Sequence, residues 1–196
     1  MKEQLDDLKA IREMMEKSSK FLSLSGLSGV MAGVSALAGA SFAYVYLKNV
    51  TEIGYTQTIT LIVTALLVLL FAFSFALFFS WRKAKRNNQK LFNSLTWRIL
   101  YNMAVPLTAG GLLALIMIYR GQGEFTASIT LIFYGLSLIN ASKFMMDEIH
   151  YLGLTEVILG ILSAVFICHG LLFWTLGFGI CHIIYGAIMY KKYDLR

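Results

Sequence analysis

From Leu152 to Tyr190 the chain is almost unbroken apolar sequence, with Glu156 as its only carboxylate and His169 and His182 as its only basic side chains. The run is about twice the roughly 20 residues that a helix needs to cross the hydrocarbon of a bilayer. It is too long for one span and long enough for two joined by a tight turn. The sequence places that turn at Cys168–Leu172, where Gly170 can take backbone angles other residues resist. One long tilted helix is the alternative.

The rest of the chain repeats this character, and the whole is read as an all-α, polytopic membrane protein. Six spans are expected: Phe21–Leu47, Ile59–Trp81, Trp97–Tyr119, Phe125–Met145, Leu152–His169 and Leu172–Tyr190. Of 196 residues 58% are hydrophobic and 14% charged, against about 25% charged in soluble domains. The net charge of +6 does not point to nucleic acid, because the basic residues form no single stripe. They lie between the apolar runs, and of the 17 lysines and arginines only Lys48 and Arg120 fall on the side opposite the N-terminus. That asymmetry predicts both termini in the cytoplasm, with Trp81 and Trp97 at the inner interface and Trp174 near the outer one. "ALAGA" offers Ala-x-Ala patterns of the kind a signal peptidase cuts, but apolar sequence continues through "SFAYVYL", so an uncleaved first span is expected.

Three regions follow: residues 1–20 as an amphipathic cytoplasmic helix, 21–190 as a six-helix bundle of three hairpins, and 191–196 as a cytoplasmic tail. In the first, Leu5, Leu8, Ile11 and Met15 share one face. This suits a helix lying at the lipid headgroups, or a short seam between two protomers. The first span carries Ser28, Ala32, Ala36 and Ala40 at every fourth position, and Gly29 and Gly33 as a GxxxG. Such residues permit close backbone approach, which drives helix packing in lipid, so this span is expected at the centre or at an oligomer seam. A faint internal repeat links Gly33-x-x-Ala36, Gly111-x-x-Ala114 and Gly160-x-x-Ser163, and "ITLI" recurs at 59–62 and 129–132. The basic segment Arg82–Thr96 reads as the topology signal, with anionic lipid or an acidic partner as the functional alternative.

"ICHGLLFWTLGFGICH" (Ile167–His182) contains two Cys-His dipeptides. With a turn at Gly170, the second pair lies roughly 14 Å deeper than the first. That excludes one shared metal, whose ligands sit about 2 Å away, and a disulfide, which needs Cα atoms within about 7 Å. No C-x-x-C-H haem-attachment motif is present. Both cysteines read as apolar fillers and no cofactor is expected. His182 still needs a partner at mid-membrane.

The polar residues converge better in "NASKFMMDEIHYLGLTE" (Asn140–Glu156). Asn140, Lys143 and Asp147 share a helix face. Glu156 is expected one turn inside the fifth span, level with Arg98 and Asn102 at the start of the third. An ionisable side chain within a span is a candidate functional group. The candidate ligand or ion site is therefore Arg98, Asn102, Asn140, Lys143, Asp147 and Glu156, with Lys143 as the partner of Glu156 and Arg98 as its competitor. A structural lock between two helices is the bland reading of the same pair, and a proton-carrying Glu156 the sharper one.

No nucleophile elbow, HExxH or Walker loop occurs, so enzymatic activity is not expected. "EKSSKFLSLSGLSGV" (Glu16–Val30), "NASKFMMDEIHYLGLTE" and "GLLFWTLGFG" resemble segments of an uncharacterised bacterial family of small six-helix integral membrane proteins. The resemblance implies a bacterial plasma (inner) membrane and no activity. Two functions are expected from the residues. One is binding or transport of a small solute or ion at the polar cluster. The other is a non-catalytic scaffold or regulatory subunit that forms a homo-oligomer, or joins a membrane partner, through the first span and N-terminal helix. The lipid bilayer is the surrounding partner in either case.

Overall fold

The computed structural model describes residues 25–88 and 91–195. The amphipathic helix expected over residues 2–19 lies outside them. Among the described residues every regular element is helical, and six helices are long and apolar enough to cross a membrane: α1 (Gly26–Lys48), α2 (Tyr55–Arg86), α3 (Ser94–Tyr119), α4 (Gly123–Phe144), α5 (Asp147–Val165) and α6 (Ile167–Asp194). The chain is a multi-pass, all-α protein of membrane-spanning helices.

Of the helix boundaries that differ from the expectation, two lie on either side of the fifth span and have a physical reason. α5 starts at Asp147 rather than Leu152, after the extended Met146, and holds Asp147 and Glu148 in its first turn. Acidic groups there complement the positive end of the helix dipole, so charge does not mark a loop at this point. The turn before α6 bends at Phe166, and Gly170 is the helical first residue of the following segment, with φ −51°. Gly170 therefore supplies closeness, not unusual angles: a Cβ there would lie 3.3 Å from the Cβ of Ala127.

Glycine contacts join the spans. A Cβ on Gly33 would stand 2.6 Å from the Gly179 carbonyl oxygen, and one on Gly29 would stand 3.1 Å from the Cα of Gly186. The small-residue face of α1 is thus covered within the chain, by α6. On the other side of the bundle, a Cβ on Gly135 would lie 2.6 Å from the Gly153 oxygen, and one on Gly153 would lie 2.8 Å from the Gly135 oxygen. This reciprocal approach holds α4 against α5. The proposed repeat does not carry through to packing. Gly33 meets α6 and Gly160 meets Leu131 and Ile132 of α4, whereas none of the described residues would lie within 4 Å of a Cβ on Gly111. Gly153→Ala is expected to lower stability in detergent by about 1–3 kcal/mol by overpacking this contact. Gly111→Ala is expected to be neutral or stabilising by up to about 1 kcal/mol. Thermal unfolding of the two variants side by side checks the assignment.

The third span solves a backbone problem. Pro106 lies inside α3 and has no N–H to offer the Asn102 carbonyl one turn back. Asn140 of α4 supplies the missing donor, its Nδ2 lying 2.8 Å from the Asn102 oxygen. Ser137 Oγ donates to the adjacent Met103 oxygen at 3.1 Å. In a bilayer, freed carbonyls must find such partners inside the protein.

Residues 191–194, expected in a tail, continue α6 as π-helix. Asp194 is buried there and closes the basic end of the bundle. Its Oδ2 accepts from Ser25 Oγ at 2.8 Å and from Gly26 N at 3.0 Å. Its Oδ1 lies 2.6 Å from Lys83 Nζ, and Arg86 donates to its main-chain oxygen at 2.8 Å. A carboxylate at the start of α1 is well placed for the helix dipole. Beside it, Glu148 of α5 holds Lys192 Nζ at 2.5 Å and accepts from the Tyr193 hydroxyl at 3.1 Å.

Candidate functional site

Starting α5 at Asp147 moves Glu156 to the middle of the helix, about 14 Å from its first residue. There it is wholly buried, with 0% of its surface exposed. Lys143 lies exposed on the turn Ser142–Phe144, and Arg98 is exposed at the start of α3. Neither is the partner of Glu156. That partner is His182 of α6, whose Nδ1 is 3.3 Å from Glu156 Oε1.

The imidazole is held from three sides. Its Nδ1 lies 3.0 Å from the Gly177 carbonyl oxygen, and its Nε2 lies 2.8 Å from the Tyr134 hydroxyl of α4. The carbonyl can only accept, so Nδ1 carries a hydrogen in this arrangement. Nε2 then accepts from the Tyr134 hydroxyl when the ring is neutral and donates to the same oxygen when it is protonated. Tyr134 therefore satisfies both charge states without moving. Phe178 packs against both rings, at centroid distances of 5.0 Å from Tyr134 and 5.9 Å from His182.

Two local features of α6 create the space. Thr175–Cys181 is a π-helix, a rare form associated with functional sites. Gly177 within it lies so close to Glu156 Oε2 that a Cβ would collide with that oxygen, and the same Cβ would stand 2.5 Å from Leu131 Cδ2. Among the described residues no hydrogen-bond donor reaches either carboxyl oxygen of Glu156. A charged carboxylate buried without donors is costly unless a cation compensates it. The group is therefore stable as a neutral acid beside neutral histidine, or as a carboxylate beside imidazolium. Each form shares one proton between the two residues, and acidification can add a second, leaving a neutral acid beside an imidazolium that donates to the Gly177 and Tyr134 oxygens.

The other candidates lie elsewhere. Asn102 and Asn140 come together, but as the repair of the Pro106 gap, and Asn102 Nδ2 donates to the Arg98 oxygen at 2.7 Å. Asp147 is exposed in the first turn of α5. In the sequence Glu156 and His182 each stand out alone in an apolar run, whereas Tyr134 does not stand out. The available signal was symmetry: Glu156 and His182 stand equally far from His169 along the chain, so helices meeting at a turn there bring them level. Cys168 and Cys181 are both free, the first exposed at the turn and the second half-buried in α6.

No family model matches this chain, and no curated protein or solved structure is similar to it.

Proposed function

We propose that this is a non-enzymatic membrane protein that binds an exchangeable proton at Glu156 and His182 and couples it to the movement of a small solute or ion. The observation that carries the reading is a fully buried Glu156, with no hydrogen-bond donor among the described residues and a histidine 3.3 Å away, halfway along two spanning helices. Ionisable groups at that depth are expensive, and they mark ion and proton pathways. A simple helix lock needs no titratable pair, since a serine pair such as Ser128–Ser163, at 3.1 Å, joins α4 to α5 without one. The proposed setting is the plasma membrane of a bacterium, with both termini cytoplasmic. The basic residues and the family resemblance support it. The assembly reading loses part of its motive, because α6 occupies the glycine face of α1.

The test is proton uptake by the detergent-solubilised protein after an acid pulse in weakly buffered solution, followed with a pH dye. The wild type is expected to take up one more proton per chain than a Glu156→Leu, His182→Phe double variant, which lacks both groups. Equal uptake by the two proteins overturns the reading.

A further inference from the structure

At the end of the bundle opposite Asp194, a groove of about 560 Å³ opens between α1 and α6. Its size is that of a small-molecule site, and such sites are typically apolar with a few placed polar groups. Leu172 and Leu176 supply apolar wall, and Ser41, Tyr44, His169 and Thr175 supply the polar groups. The hydroxyl hydrogens are already committed. Ser41 Oγ donates to the Leu37 oxygen at 2.8 Å, and Thr175 Oγ1 donates to the Leu171 oxygen at 2.6 Å. Each hydroxyl therefore offers the groove only lone pairs. A neutral His169 adds another acceptor, and Tyr44 adds an aromatic face of the kind that attracts cations. Among the described residues no lysine, arginine or carboxylate lines the groove.

The groove also borders the proton site. Thr175 and Leu176 open the π-helical segment Thr175–Cys181, and the next residue, Gly177, touches Glu156. A cation in the groove would lie about one helix diameter, roughly 10 Å, from that carboxyl. When the pair has released its proton, the Glu156 carboxylate at this distance favours a cation over a neutral molecule by roughly tenfold or more. We propose that the groove binds an amphipathic primary amine drawn from the bilayer. The tail lies against Leu172 and Leu176, and the ammonium donates to Ser41 and Thr175. This amine class is the solute whose movement the Glu156 proton drives, so the assignment rests on the proton-binding reading above.

Native mass spectrometry of the full chain, released from nanodiscs containing dodecylamine, dodecanol or dodecanoate in turn, tests this. The amine adduct is expected to be at least tenfold more occupied than the alcohol, with dodecanoate weakest. Ser41→Trp, which fills the groove from an exposed position, is expected to reduce amine binding at least tenfold. Leu172→Trp serves the same purpose from α6 if the first variant folds poorly. Glu156→Gln is expected to bring amine and alcohol within about threefold of each other. Equal binding of the three compounds, preference for dodecanoate, or amine binding that survives both tryptophan variants overturns the site. Amine preference unchanged by Glu156→Gln overturns its link to the carboxyl. The acid-pulse experiment is run without amine, so failure of the proton reading and failure of the groove are separately visible.

Discussion

Asp194→Ala is expected to lower the stability of the detergent-solubilised protein by about 3–5 kcal/mol, the usual cost of breaking a buried ion pair from one side. The substitution takes the carboxylate from Lys83 at 2.6 Å and removes the acceptor for Ser25 Oγ and Gly26 N. Three spanning helices meet at this one side chain, the start of α1 and the ends of α2 and α6, so the loss falls on all of them. Replacing both partners, as in Lys83→Met with Asp194→Leu, is expected to recover part of the stability, because apolar side chains can take the place of a buried ion pair. Thermal unfolding of the single and double variants measures the difference. A single variant within about 0.5 kcal/mol of wild type would mean that Asp194 is as dispensable as an ordinary surface residue.

His182→Phe is expected to abolish the extra proton uptake in the acid-pulse experiment. Without imidazole beside it, Glu156 has no cation to balance its ionised form and remains neutral, because an isolated carboxylate in the interior is costly by several kcal/mol. The variant also strips the Tyr134 hydroxyl of its 2.8 Å partner, with an expected stability loss of about 1–3 kcal/mol. Combining Glu156→Leu with His182→Phe separates function from folding. A well-folded double variant that takes up no extra proton supports a working proton site. A double variant with full uptake places the proton elsewhere.

The spanning helices were legible in the sequence because lipid imposes long apolar runs, and those runs are hard to mistake. Their ends were less legible. Asp147 and Glu148 read as loop residues, although they are well suited to a helix start, and this single shift placed Glu156 too close to the surface. The error assigned it Lys143 in place of His182. Asn102 and Asn140 do meet, but their task is set by Pro106, whose missing N–H leaves the Asn102 carbonyl open. Asp194 carried no periodic or motif signal among the basic residues at the end of α6, and its role depends on three helix ends meeting in space. Tyr134 was hidden for a similar reason: a tyrosine in an apolar span reveals a partner only when the opposing helix is known.

The central claim is that Glu156 gains and loses a proton inside the membrane-spanning bundle. Infrared difference spectroscopy between acid and neutral solution reads it directly, through the C=O stretch of a protonated carboxyl. The expected result is a band that grows on acidification in the wild type and is missing in Glu156→Gln. Identical difference spectra for the two proteins would show that Glu156 keeps one protonation state throughout, and would contradict the account.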